Sequence, residues 1–358
     1  MNNIDKFKIL SGITDFSFFK EFPNINCYKY YKKYLQDIDN YIKSTSYSQY
    51  KTRKLNFRFI NRFDVNGIAY VKNGEDFIKI NEGSLYVIYG MFGDLIINGA
   101  FSKYTSIKEV ADSRIYLNNE GITEHEFNFK IPNDYNAKLL SEYLSMFAVK
   151  FIILHELGHH INGHLLYLEK HYGINEWYTK QTNRNIPDLL IKTLEMDADA
   201  FAISQLVREF KEMVINDKKI NALNIPNDVK LGLLIFSLHN LFILLGEGFE
   251  TQNYSNKYMS IKSRYLHNIS CLKTNLEIQY FEFIDNINFI DVTSYYLKMS
   301  ETLYFKVFKI NNQLIDDLEQ IIEEYNDFDE IKNTWNLIFD DLSKFARVPL
   351  SSKYKTWE

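Results

Sequence analysis

The chain has 358 residues, 46% hydrophobic and 16% aromatic, enough apolar material for a sizeable buried core and, by length, about two domains. That composition excludes a disordered chain, and a formal charge of −5 gives no overall basic footprint for nucleic acid; Lys51-Thr-Arg53-Lys54 is a small basic cluster that reads as solvated surface. Cys27 and Cys271, far apart, make no disulfide scaffold, and the N-terminus lacks a basic region followed by an apolar core, so the expected location is the cytoplasm.

In chain order, the Tyr- and Lys-rich stretch 24–50 has helical spacing and is expected as an outer helix. A β-rich region follows. Leu55–Ile60 alternates, and Gly67–Val71 leads through Asn73-Gly74 into Asp76–Ile80, a hairpin signal because an Asn-Gly pair tolerates the positive φ of a tight turn. A helix is expected from Gly83 to Ile97, then a second hairpin, Arg114–Leu117 against Ile122–Ile131. From Leu139 onward apolar residues recur at helical spacing through Leu154, and Asn133-Asp134 offers cap chemistry before them. Another buried helix is expected over 186–207, opened by Pro187 at its first position.

Beyond Val207 the pattern is helical. Leu231–Gly246 is about four residues short of a membrane span and has His239 and Asn240 at its middle, which reads as a buried core helix. Stripes over 300–308, 312–325 and 329–345 complete a helical C-terminal part, whose acidic run Asp316–Glu324 reads as a solvated face. The division expected is an N-terminal helical segment, 1–54, a core, 55–207, and a helical C-terminal region, 208–358.

The chemistry concentrates in Phe151-Ile-Ile-Leu-His155-Glu156-Leu-Gly-His159-His160. Histidines four apart on a helix lie on one face, so their imidazoles can bind one metal ion, while the intervening glutamate addresses water. Two buried histidines and a buried glutamate would be costly without a cation to ligate. A tetrahedral catalytic zinc takes three protein ligands and leaves the fourth position open. The second buried helix carries Glu195 and Asp199, also four apart, with alanines at 198, 200 and 202 that leave room for a neighbouring helix. Glu195 is the expected third ligand, and Asp199 the acceptor for the non-metal nitrogen of a ligand histidine. The exchange of these two roles stays open, since either carboxylate suits zinc. Asp197 reads as part of a solvated acidic face. His160, about a hundred degrees around the helix from His159, and His164, beyond a helix end at Gly163, read as supporting or surface residues.

The pair His155-Glu-Leu-Gly-His159 and Glu195-x-x-x-Asp199 resembles the gluzincin metallopeptidases. The longer segments His155–His164 and Glu195-Met-Asp-Ala-Asp-Ala-Phe-Ala202 are similar to bacterial intracellular peptidases of the phage-exclusion (Lit-like) and ImmA/IrrE types. The resemblance covers 139–207. It implies an α+β zincin-like core, a small mixed or antiparallel sheet beside the motif helix, one Zn2+ ion, and a protein or peptide substrate inside the cell, in phage defence or regulatory proteolysis. No nucleic acid or membrane partner is expected.

The expected function is thus endopeptidase action with Glu156 as general base, taking a proton from the attacking water and giving it to the leaving amine. Tyr178, His239, Arg264 and His267 are candidates for stabilising the oxyanion, with none distinguished. The strand 122–131 is the expected aligner of an extended substrate. Two other classes stay in view: a non-peptidase zinc amidohydrolase, and an inactive zinc scaffold. Glu156 speaks against the scaffold, because structural sites close the fourth position with another Cys or His.

Overall fold

The computed structural model describes residues 55–60, 62, 64–118, 124–174, 176–177, 186–250, 259, 261–309 and 318–353. The expected outer helix over 24–50, the cluster 51–54, Cys27 and Tyr178 lie outside them. Strands β1 (Leu55–Ile60), β2 (Gly67–Lys72) and β3 (Glu75–Asn81) open the described part. Asn73 and Gly74, at φ 52° and 75°, turn β2 into β3 in the two-residue geometry that an Asn-Gly pair allows. With the two-residue β6 (Glu176–Trp177) they form a mixed sheet, β1-β3-β2-β6, in which only the β1–β3 pairing is parallel. A separate hairpin joins β4 (Val110–Asn118) to β5 (Glu124–Pro132).

Helices make up most of the other described residues. Between the sheet and the hairpin lies α1 (Glu82–Ile97), and after the hairpin comes the 27-residue α2 (Tyr135–Ile161), whose start is capped by Asp134 accepting from the Ala137 N–H at 2.8 Å. Then follow α3 (His164–Tyr172), α4 (Asp188–Asn216), α5 (Lys218–Ala222), α6 (Asn227–Glu250), α7 (Ile261–Gln279), α8 (Phe281–Ile284), α9 (Phe289–Phe308) and α10 (Leu318–Leu342). The architecture is α+β with a helical C-terminal part, as the sequence pattern indicates. Pro187 sits one position before the helix it was expected to begin, and α4 runs unbroken through 207 and 208 to Asn216. The two stripes expected over 312–325 and 329–345 are joined, within the described residues, in the one helix α10.

The core is organised around α2, which packs against α1, α4 and α6. Leu144, Phe147, Phe151 and Leu154 are fully buried on it, and burial on that scale contributes about 1.5–3 kcal/mol per side chain. Gly158 permits the close crossing with α4: a Cβ there would stand 3.1 Å from the Ala198 Cα. Helix α6 is flanked by α2, α7 and α9. Asn227–Gly246 is long and apolar enough to cross a membrane, and 78% of that stretch is buried inside the molecule, which makes it a core helix here.

Candidate metal centre

Three elements build the site: α2 brings His155, Glu156 and His159, α4 brings Glu195, Asp197 and Asp199, and α7 brings Arg264 and Asn268. Because residues four apart share a helical face, α2 turns both imidazoles to α4, where the Glu195 carboxylate meets them. The Nε2 atoms of His155 and His159 face each other at 3.2 Å; Glu195 Oε2 is 3.4 Å from the first and Oε1 is 3.7 Å from the second. These donor atoms lie within 4.8 Å of one another, all three residues are buried, and together they could hold a metal ion.

The donor chemistry fits a cation. Burial opposes charge on His155, but Glu195 and Asp199 outweigh it and raise its pKa to about 10. Burial, then repulsion from His155, holds His159 well below its ordinary value. Two imidazole nitrogens and a carboxylate oxygen, all buried and close together, are a donor set that suits one cation. Glu195 stays ionised despite burial, chiefly through His155 and Arg264.

Asp199 lies where the sequence pattern puts it, with Oδ1 2.7 Å from His155 Nδ1. Being acceptor-only, it makes that nitrogen a donor, so the neutral ring that would ligate a metal keeps its lone pair on Nε2. The remaining capacity of Asp199 is taken up by Arg264, which donates from Nε and Nη2 at 2.5 and 2.7 Å, and by Asn268 at 3.1 Å. Fully buried and so engaged, Asp199 is held well below the usual carboxylate range. These contacts turn it away from the metal position and favour Glu195 as the third donor.

Glu156 lies between these groups and the sheet, within reach of the charges of His155, Glu195 and Arg264. Gly67 of β2 packs so tightly on it that a Cβ would stand 2.8 Å from Glu156 Cγ, and the Ala69 N–H donates to its carboxylate. Its Oε2 is buried without a hydrogen-bond partner among the described residues. Burial is the main reason its pKa rises to about 7, offset in part by His155. The strand beside the site is therefore β2, not the one over 122–131: β5 packs on α1, where the Lys130 carbonyl would be 2.9 Å from a Cβ at Gly93.

Of the oxyanion candidates, Arg264 stands at the site, bound to Asp199 and 3.4 Å by Nη2 from Glu195 Oε2; His267 takes its place against the Met196 backbone and lies 3.4 Å from Cys271 Sγ; His239 is buried with Tyr265 and Glu301 on α6. His160 is a buried support, 3.0 Å by Nε2 from the Phe77 carbonyl and 3.4 Å by Nδ1 from Asp76, which pairs with Arg347. Of the two readings open for His164, the structure favours support: it is fully buried, 3.0 Å from His159 by Nδ1, because Gly163 at φ 81° swings the chain back. One expectation needs correction. Asp197 is not on a solvated face, since its carboxylate receives His164 at 2.9 Å and Asn162 at 2.5 Å.

An α+β fold with two histidines and a glutamate converging from crossed helices defines a protein with a candidate mononuclear metal centre and a buried acid beside it. The model of the family Peptidase U49 matches residues 97–278, half of the chain, including α2, α4 and all of the α7 residues that form the site; the chain belongs to that family and is a peptidase. Comparison with curated proteins gave no match, and comparison with solved structures gave none either.

Proposed function

We propose that the chain is a zinc-dependent endopeptidase of gluzincin type, with one ion held by His155, His159 and Glu195 and with Glu156 as general base. The observation that carries this reading is the convergence of those three donors within 4.8 Å beside a buried carboxylate with one unpartnered oxygen. A zinc ion held there would supply Lewis acidity, acidifying water and polarising the scissile carbonyl. Glu156, with a pKa of about 7, can accept a proton from the attacking water and return it to the departing amine, and the Ala69 N–H keeps its carboxylate in place meanwhile. Asp199, clamped by Arg264 and Asn268, holds the His155 ring with its Nε2 lone pair toward the ion.

The substrate in this reading is an intracellular protein or peptide, in phage defence or regulatory proteolysis, and the setting is the cytoplasm with no nucleic acid or membrane partner. An extended substrate would lie near β2, the strand next to Glu156. The test compares wild type with Glu156→Gln, Glu195→Ala and Asp199→Ala for bound zinc and for new N-termini in a cell extract. Glu156→Gln is expected to keep zinc and lose cleavage, and Glu195→Ala to lose most of its zinc. Cleavage by Glu156→Gln at the wild-type rate would end the proposal.

A further inference from the structure

His164 and Asp197 have no part in the chemistry described so far, yet their geometry has a direct consequence for His159. At the end of α2 the backbone passes through Asn162 and then Gly163, whose left-handed conformation starts α3 immediately and folds His164 against the preceding turn. A side chain at Gly163 would strike the Phe345–Ala346 backbone at 2.5–2.6 Å, and Arg347 N–H donates to the Ile161 carbonyl at 2.8 Å, so the C-terminal segment clamps this reversal shut. His164 is thereby fixed between α2 and α4 with no exposure.

The order of hydrogens along this line follows from what each group can do. Asp197 Oδ2 only accepts, and it receives His164 Nε2 at 2.9 Å and Asn162 Nδ2 at 2.5 Å, so the His164 hydrogen sits on Nε2. In the neutral ring Nδ1 is then an acceptor, and the nitrogen 3.0 Å from it, His159 Nδ1, must donate. That leaves the hydrogen-free nitrogen of His159 at Nε2, facing His155 Nε2 at 3.2 Å and Glu195 Oε1 at 3.7 Å.

We propose that Asp197, Asn162 and His164 form a relay whose task is to fix His159 in its metal-ligating tautomer and ring orientation, as Asp199 does for His155. The inference rests on the metal-centre reading above. It makes one helix, α4, hold both ligand histidines: Asp199 directly, and Asp197 through an intervening imidazole. His164 and Asp197 are positioning residues and touch neither ion nor substrate.

The experiment uses the full chain and zinc itself as probe. Zinc affinity is measured by competition with a chromogenic chelator for wild type, His159→Ala, His164→Phe, Asp197→Ala and Asp197→Asn, alongside thermal melts. Wild type is expected to bind one ion and His159→Ala to lose it. His164→Phe and Asp197→Ala should bind about 10–100-fold more weakly, the range typical of lost outer-shell partners. Asp197→Asn, whose amide oxygen still accepts from Nε2–H, should stay within a few-fold of wild type.

If His164→Phe and Asp197→Ala bind as tightly as wild type while His159→Ala does not, the relay is wrong and the metal centre stands. If wild type binds no zinc, or His159→Ala binds it normally, the centre fails and the relay with it. Should the variants not fold, ring 15N shifts of the metal-free wild type decide: His159 protonated at Nδ1 supports the relay, and at Nε2 overturns it.

Discussion

Gly67→Ala tests the contact between β2 and the proposed base without touching a metal ligand. The added Cβ would lie 2.8 Å from Glu156 Cγ, 2.9 Å from Oε1 and 2.9 Å from Ile80 Cδ1, against ordinary contact at 3.4 Å or more. Ile80 is fully buried in the core, so relief has to come from Glu156, whose stem must rotate away from the strand and give up the Ala69 N–H. A displacement of that order at a reacting group costs about 100-fold in rate, or roughly 2.7 kcal/mol in the barrier. Overpacking should also lower stability by about 1–3 kcal/mol. Gly93→Ala is the control: its Cβ would meet the Lys130 carbonyl at 2.9 Å, between α1 and β5, and it should cost stability with cleavage unchanged. The assay is the appearance of new N-termini in a cell extract, normalised to zinc content. Gly67→Ala is expected to keep its zinc and lose about two orders of magnitude in cleavage. A rate within twofold of wild type would show that Glu156 does not depend on its seat against β2.

Three further outcomes follow from buried groups. Asp76 is buried against Arg347 and His160 and its pKa is held down by them in spite of burial, so Arg347→Met, which strands the carboxylate, should cost about 3–5 kcal/mol in urea unfolding at pH 7. Because that pKa is depressed, the stability it confers is present above the ordinary carboxylate value and lost as pH falls through the folded one, and Arg347→Met should flatten the acid limb. Glu142 behaves oppositely: burial, against Lys219 and Lys138, raises its pKa from 4.5 to about 7, so the folded state binds the extra proton and stability declines as pH rises between those values. Glu142→Gln should remove about 1–3 kcal/mol of that decline, and an unchanged pH profile of unfolding would refute it. Cys271, pushed up to about 12 by burial and by Asp199 and Asp197, should resist iodoacetamide in the native protein at pH 8 and react once unfolded.

The fold was legible where local chemistry decides it. Asn73-Gly74 demands positive φ and so announces the hairpin, Asp134 announces the start of α2, and the paired His and Glu of the motif helix follow from a period of 3.6 alone. Boundaries set by tertiary packing were not: α4 gains its last nine residues beyond Val207 because Phe210, Met213 and Val214 find the same core as the residues before them. Likewise the strand beside the site could not be chosen by alternation, since both hairpins alternate. What distinguishes β2 is a glycine at position 67, and its meaning appears only when Glu156 stands against it.

The site divides along the same line. His155, His159, Glu195 and Asp199 are related by i to i+4 steps, so a helical wheel brings each pair together without knowledge of the fold. Asp197 is half a turn from Glu195 and Asp199, and on a wheel it belongs to the opposite, outward side. It is recruited because the chain reverses at Gly163 and sets His164 against it, covering what would otherwise be a solvated carboxylate. Arg264 and Asn268 escape the wheel for a related reason, since α7 is separated from α4 by the whole of α6. Their signal was nevertheless present in the sequence. An acidic residue four positions from a proposed ligand, on a face crowded with alanines, needs a cation or donors to offset its burial, and Arg264-x-x-x-Asn268 presents both on one helical face.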